Sequence, residues 1–205
     1  MSDRGVLTVI SGFSGAGKGT VVKQLLQKYD YGLSISATTR SPREGEQDGR
    51  EYFFKTKEEF EKMIREHQLI EYAQYVGNYY GTPKEYVVQQ LEQGKDVILE
   101  IEMQGALHVR EILPEVNLIF LTPPTVDELE RRLVSRGTET AEVIRERMAR
   151  AKEESAYMKE YDYIVINDDL DECVENVHQL IRSLHYKSEQ QEGFIQKIKQ
   201  EFEKR

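Results

Sequence analysis

Several residue types are scarce in this sequence, and each shortage excludes a class of protein. The 205 residues include one cysteine, five prolines and no tryptophan. The single thiol, Cys173, forms neither an intramolecular disulfide nor a thiolate metal centre. No apolar run approaches the roughly 20 residues of a membrane-spanning helix. Residues 1–5 lack the basic and apolar regions of a signal peptide. We therefore expect a cytoplasmic protein without a membrane partner.

Positive charge is also scarce. The sequence has 28 Lys and Arg residues against 37 Asp and Glu residues, which gives a formal net charge of -9. A surface this acidic repels polyanions, so we expect no nucleic-acid polymer as a partner. A small anionic ligand would require a local concentration of positive charge on the protein.

Short apolar runs alternate with amphipathic stretches along the chain. The runs that predict buried strands are residues 6–10, 97–99, 118–121 and 163–166. Helical periodicity is present at residues 21–29, 84–93, 105–113, 126–133 and 141–161. This order predicts an α/β fold with a parallel sheet covered on both faces. Residues 34–54 and 69–83 break the pattern and indicate a small β insertion beside the core.

The clearest local signal is a glycine-rich turn between the first predicted strand and helix. It consists of Gly12, Phe13, Ser14, Gly15, Ala16, Gly17, Lys18, Gly19 and Thr20. Glycines let successive backbone N–H groups point inward at a phosphate, and the helix that follows adds its N-terminal dipole. The lysine supplies a point charge for the outer phosphates of a nucleotide. The sequence therefore predicts a P-loop.

One position of this loop departs from the usual pattern, Gly-x4-Gly-Lys-Ser/Thr. The hydroxyl that touches Mg²⁺ normally follows the lysine directly, but here Gly19 follows it and Thr20 comes one residue later. We therefore expect Mg²⁺ to be held mainly by nucleotide phosphates and water, with Thr20 acting only through such a water.

A second anion site is predicted near the start of the insertion. Residues 36–43 combine Ser and Thr hydroxyls with two guanidinium groups, Arg40 and Arg43. Arginine forks bind phosphate through two parallel hydrogen bonds, and such a cluster is unusual in a chain this acidic. The alternative is that the two arginines are solvated loop charges.

Glu71 lies between apolar residues of a predicted hairpin. One carboxylate can accept from both N1–H and N2–H₂ of guanine, whereas adenine presents a lone pair at N1. Guanine O6 would then need a donor, such as the hydroxyl of Ser36 or Thr82. Mispairing of such buried groups can discriminate between bases by a factor of about 10⁴. The alternative is a solvent-facing carboxylate on an alternating strand.

The sequence resembles the guanylate kinases, a family of P-loop nucleoside monophosphate kinases, from about residue 6 to residue 186. The resembling segments are residues 12–20, 36–46, 48–54, 71–73, 77–82, 103–105 and 136–140. The resemblance implies transfer of the γ-phosphate of ATP to GMP and dGMP, with Mg²⁺ as cofactor. It implies a three-layer P-loop fold within residues 1–186, with a monophosphate-binding insertion at about 36–83 and a helical lid at about 124–156.

The resemblance also implies roles for single residues. Those implied to bind GMP are Ser36, Arg40, Arg43, Tyr52, Glu71, Tyr80, Thr82 and Glu102, the last standing where the family usually has aspartate. The cations implied in catalysis are Lys18, Arg40, Arg132, Arg136 and Arg147, the last three on the lid. Asn167, at the end of the last predicted strand, is expected to contact the adenine of ATP.

Other interpretations stay open at this point. The run from Gly17 to Thr20 also resembles adenylate kinase, so a kinase for another nucleoside monophosphate is one alternative. A non-catalytic, guanylate-kinase-like interaction module is another. In the charged tail, residues 187–205, Phe194, Ile198 and Phe202 have helical spacing. This spacing predicts a terminal helix that packs on the body or, in a homo-oligomer, on a second subunit.

Overall fold

The computed structural model describes residues 4–75, 77–135 and 140–205. Within these residues the chain forms nine strands and eight α-helices. The strands are β1 (Leu7–Gly12), β2 (Gly32–Leu33), β3 (Ala37–Thr38), β4 (Phe53–Phe54), β5 (Leu69–Tyr75), β6 (Asn78–Pro83), β7 (Val97–Glu100), β8 (Asn117–Thr122) and β9 (Tyr163–Ile166). The helices are α1 (Lys18–Lys28), α2 (Lys57–Arg65), α3 (Lys84–Glu92), α4 (Met103–Ile112), α5 (Val126–Ser135), α6 (Ala141–Ser155), α7 (Leu170–Leu184) and α8 (Glu192–Glu203). None of these helices is long and apolar enough to cross a membrane.

The described strands of the core form one parallel sheet in the order β2-β7-β1-β8-β9. All six residues of β1 are buried, and its neighbours β7 and β8 each have only one residue that is not buried. Strands buried on both faces have no polar side to alternate with, which is why these runs are continuously hydrophobic. The predicted α/β fold with a parallel sheet is confirmed. Because the strands are parallel, the loops after β1, β7, β8 and β9 all leave from one edge.

A smaller sheet with strand order β4-β3-β6-β5 forms the insertion. Strand β3 pairs antiparallel with β6, and β6 pairs antiparallel with β5 as a hairpin. Helix α2 covers this sheet and begins with a capping box between Thr56 and Glu59. The sheet has its own small core, in which Phe60 is fully buried and stacks on Tyr79 at 5.2 Å between ring centroids. The predicted β insertion is therefore present, with a hydrophobic centre separate from that of the parallel sheet.

The structure adds two details to the sequence-based predictions. The helix expected over residues 141–161 ends at Ser155 and is followed by a short 3₁₀ turn, Met158–Glu160. The tail forms α8, and two of the three residues in its apolar stripe are exposed, while Ile198 is half-buried. Among the described residues α8 has no buried side chain, and Phe194 and Phe202 are 52% and 71% exposed. Helical periodicity reveals an apolar face but does not say what covers it.

We expect removal of residues 192–205 to change the free energy of unfolding by no more than about 0.5 kcal/mol, because surface groups outside the core contribute little. Urea unfolding followed by circular dichroism measures the difference. The control is Leu25→Ala, which deletes a fully buried side chain of α1 and should cost about 2–5 kcal/mol. A loss of about 2 kcal/mol or more on truncation would mean that α8 packs on the body in solution.

Candidate functional site

The glycine-rich loop joins the central strand β1 directly to α1. The Lys18 ammonium group folds back across the loop and donates to the carbonyls of Gly12 (2.7 Å) and Phe13 (3.2 Å). Gly12 and Gly17 both have positive φ, and a Cβ at Gly12 would collide with the backbone carbonyl of Leu121. The loop therefore curls around the start of α1, where backbone N–H groups lack intrahelical partners. The structure therefore has the glycine-rich turn between a buried strand and a helix that the sequence predicts for a P-loop.

Two carboxylates from the neighbouring strand end lie beside this loop. Glu102, the N-cap residue of α4, has its Oε1 atom 3.9 Å from the Lys18 ammonium nitrogen, and its side chain is 60% exposed. The Oε1 atom of Glu100 lies 3.5 Å from the point that a Cβ at Gly19 would occupy. Burial raises the pKa of Glu100, with Lys18 opposing the shift. Thr20 is exposed on the first turn of α1.

These oxygen donors fit Mg²⁺, which prefers carboxylate, phosphate and water oxygens. In residues 4–75, 77–135 and 140–205 no group of three or more His, Cys, Asp or Glu side chains is placed to hold a metal ion. A cation beside Glu100 and Glu102 would therefore take its other ligands from phosphate and water.

Glu71 occupies a buried position in the insertion. Its side chain is 7% exposed, and its Oε1 accepts a 2.7 Å hydrogen bond from the Thr82 hydroxyl. Its Oε2 lies 3.4 Å from the Cβ position of Gly105 at the start of α4. Burial raises the pKa of this carboxyl, while the Thr82 bond opposes the shift. The alternative of a solvent-facing carboxylate is wrong for this position.

The Thr82 hydroxyl has one hydrogen, and in this structure it is donated to Glu71. Of the two hydroxyls proposed to donate to a base oxygen, Ser36 is therefore the better placed. It lies half-buried one residue before β3, and its backbone carbonyl accepts from the Phe53 N–H at 2.9 Å. Pairing of β3 with β4 thus fixes the backbone at Ser36.

Arg40 is brought together with two aromatic side chains. Its guanidinium carbon lies 5.3 Å from the centre of the Tyr52 ring, and the Tyr52 and Tyr80 rings are 6.0 Å apart. The guanidinium donates to the Ser41 carbonyl (2.8 Å) and to Glu46 Oε1 (3.0 Å). A cation held over an aromatic face, with hydroxyls beside it, is suited to binding phosphate.

Glu46 is the residue of this cluster to which sequence reasoning gave no role. Its second oxygen accepts from the backbone N–H of Arg43 at 2.7 Å, while the Arg43 side chain is exposed. Arg40 and the Arg43 N–H hold the pKa of Glu46 below its ordinary value. The sequence holds one signal for the bond between the Arg43 N–H and Glu46: the glutamate follows the arginine by three residues in a turn that contains glycine. Glu46 fixes both the turn and the direction of the Arg40 guanidinium.

The arginines expected on the lid reach the P-loop side of the sheet. Arg147 of α6 donates to the Ser14 hydroxyl at 2.6 Å. Arg132 of α5 donates to Glu128 (2.6 Å) and to the backbone carbonyl of Asn167 (2.8 Å). Glu128 also bonds Arg131, and hydrogen bonds from the two arginines lower its pKa to about 2. The third expected lid arginine, Arg136, lies outside the described residues.

The first turn of α4 connects the two halves of the site. Gly105 on this turn faces Glu71 in the insertion, and Glu102 at its start faces Lys18 in the P-loop. Helix α4 also makes extensive contact with β5. The buried Glu71 carboxylate and the P-loop therefore flank one helical turn.

Comparison with known proteins identifies one family. The guanylate kinase family model matches residues 4–184, which leaves α8 outside the match. A guanylate kinase of Streptococcus thermophilus is 53% identical over 191 residues, covering 92% of this chain and 91% of that protein. One from Streptococcus agalactiae serotype III is 55% identical over 191 residues, covering 91% and 90%.

A solved structure gives the same result in three dimensions. The crystal structure of guanylate kinase from Anaplasma phagocytophilum has a TM-score of 0.68 and 31% identity. The match covers 88% of this chain and 86% of that chain. The fold, the family model and the relatives agree, and the chain belongs to the guanylate kinase family.

Proposed function

We propose that this chain transfers the γ-phosphoryl group of ATP to GMP or dGMP, giving ADP and GDP or dGDP. Family membership supports the reaction class. The observation that carries the choice of acceptor is the buried Glu71 carboxylate. Its Oε1 atom accepts from Thr82, and its Oε2 atom points toward Gly105 instead. That oxygen is an acceptor, and guanine presents adjacent donors where adenine does not.

On the donor side, residues 12–20 hold the phosphates of ATP through backbone N–H groups and the dipole of α1. Lys18 exchanges its bonds to the Gly12 and Phe13 carbonyls for bonds to phosphate oxygens. Phosphoryl transfer needs little covalent chemistry from the protein, so positioning and charge neutralisation carry the rate.

On the acceptor side, Arg40, Arg43, Tyr52 and Tyr80 bind the GMP phosphate, while Glu71 and Ser36 hold guanine. Glu46 keeps the Arg40 guanidinium directed over Tyr52, so the fork is set before the phosphate arrives. The acceptor phosphate is already an anionic nucleophile, and no side chain has to remove a proton from it.

The last parts of the proposal are the lid arginines and the Mg²⁺ ion. Arg132 and Arg147 neutralise charge on the phosphates and exclude water, which would otherwise hydrolyse ATP. We assign Arg136 to the same group from the family resemblance alone. Glu100, Glu102 and Thr20 would hold Mg²⁺ through its bound waters. When bound, Mg²⁺ neutralises phosphate charge and orients the transferred group.

We also propose a division of the chain by function. Residues 1–186 form the kinase domain, with the monophosphate-binding insertion at 36–83 and the lid at 124–156, and residues 187–205 form a tail. Support comes from the second sheet, which spans Ala37 to Pro83, from α5 and α6, which fall within the lid range, and from the family model, which ends at residue 184.

The test is an assay of ADP release with purified protein, ATP and Mg²⁺, using GMP, dGMP, AMP or UMP as acceptor. We expect turnover with GMP and dGMP and none above background with AMP or UMP. Turnover with AMP in preference to GMP would reject the role of Glu71. Tight GMP binding without turnover of any acceptor would instead identify a non-catalytic module.

For Glu71→Gln we expect the KM for GMP to rise about tenfold to a hundredfold, since losing a hydrogen bond to a charged group costs about 1.5–3 kcal/mol. The KM for ATP should stay unchanged, because Glu71 lies in the insertion. The glutamine amide places a donor opposite the donors of guanine, so the preference for GMP over AMP should also shrink. An unchanged KM for GMP would show that this carboxylate does not touch the base.

The raised pKa of Glu71 predicts a pH dependence of GMP binding. Only the ionised carboxylate accepts from both guanine donors, and burial raises its pKa above the ordinary 4.5. GMP affinity should therefore be full at neutral pH and fall as the pH drops through this raised pKa, by about tenfold per unit below it.

The control for this pH profile is Glu71→Gln, measured over the same range. The GMP phosphate itself titrates near pH 6, and that contribution is the same in both proteins. The ratio of the two KM values isolates the Glu71 carboxyl. A ratio that stays constant down to pH 4.5 would contradict the prediction.

For Arg40→Lys we expect the KM for GMP to rise about tenfold, because an ammonium group cannot make the two parallel bonds of a guanidinium fork. The KM for ATP should not change. Arg65→Lys makes the same chemical change at an exposed position of α2 and serves as the control. Equal effects at the two positions would remove Arg40 from the acceptor site.

A further inference from the structure

Asn167 ties three segments of the site together. It follows β9 directly, and its backbone N–H donates to the carbonyl of Thr122 at the end of β8 at 2.8 Å. Its side-chain amide donates to the carbonyl of Ala16 in the P-loop at 2.8 Å. Its own backbone carbonyl accepts from Arg132 of the lid at 2.8 Å. The residue is 6% exposed, so these bonds are made away from bulk water.

The side-chain amide also fits against the loop sterically. A Cβ at Gly17, which has φ +92°, would lie 2.5 Å from the Asn167 Nδ2 atom. The amide therefore occupies the space that any larger residue at position 17 would require. Gly17 permits both the left-handed backbone and the close approach of Asn167.

The bond to Ala16 determines where the next N–H group points. In a planar trans peptide the C=O and N–H groups point in opposite directions. Because the Ala16 carbonyl is held toward Asn167, the Gly17 N–H of the same peptide unit is directed to the other side. Gly17 is the N-cap residue of α1, so that side is the phosphate cradle.

We infer that Asn167 is a positioning residue for the phosphates of the donor nucleotide and does not read its adenine base. The inference rests on the proposed kinase function and replaces the adenine contact expected from the family resemblance. The Asn167 side chain holds the Ala16 carbonyl, and in this way it directs the Gly17 N–H of the same peptide unit toward the bound phosphates. Its backbone carbonyl accepts a hydrogen bond from Arg132, and substitution of the Asn167 side chain leaves that second bond available.

The test is Asn167→Asp, which keeps the size of the side chain but places a carboxylate oxygen against the Ala16 carbonyl. KM and kcat are measured with ATP and with ITP, whose base lacks the 6-amino group of adenine. Binding of inorganic tripolyphosphate is measured by calorimetry. Asn176→Asp is the control, because it makes the same change at an exposed position of α7.

We expect the KM values for ATP and ITP to rise by the same factor, about tenfold, and tripolyphosphate binding to weaken equally. The KM for GMP should stay unchanged. An increase confined to ATP, with ITP and tripolyphosphate unaffected, would identify an adenine contact and overturn the inference. Unchanged KM values for both nucleotides together with unchanged tripolyphosphate binding would also overturn it, because binding of the phosphates would then not depend on this side chain.

Asn167→Ala provides a second variant if the aspartate prevents folding. It removes the bond to Ala16 without adding charge, and the same equal loss for the two nucleotides and tripolyphosphate is expected. Tripolyphosphate binding to the unsubstituted protein and its variants does not depend on GMP. Unchanged tripolyphosphate binding in the variants would therefore reject the inference without rejecting the GMP kinase activity. Absence of GMP phosphorylation would reject the activity without rejecting the inference.

Discussion

The central position of β1 is the constraint on which the functional site depends. Parallel neighbours lie on both sides of β1, and all its residues are buried, so its end is fixed in space before the P-loop begins. The loops after β7 and β9 leave from the same edge and supply Glu102 and Asn167, and β8 ends there at Thr122. The phosphate cradle is therefore shaped by a loop that is short, glycine-rich and anchored at both ends.

The cations of the site are paired locally with carboxylates, which explains how a chain with an acidic net charge can bind an anionic ligand. Three cations of the site have a carboxylate close by: Lys18 has Glu102, Arg40 has Glu46 and Arg132 has Glu128. These carboxylates orient the cations and keep them from repelling one another before ligand binds. Local pairing, and not the net charge of -9, sets the field that a phosphate meets.

The parts of the site that follow from local sequence were predicted, and those set by tertiary contacts were not. A strand, a glycine-rich turn, a lysine and a helix are contiguous, so the P-loop could be read directly. The burial of Glu71 could not, because the register of β5 shifts between Leu69 and Tyr72 and buries three successive residues instead of every second one. The Ala16 contact of Asn167 joins residues 151 positions apart, which no local pattern reveals.

The first turn of α4 has a consequence for how the two halves of the site are held relative to each other. Gly105 faces Glu71 in the insertion and Glu102 faces Lys18 in the P-loop, with two residues of the chain between them. An α-helix rises only about 1.5 Å per residue and is stiff over one turn. Any movement of this turn would therefore displace Glu102 and Gly105 together.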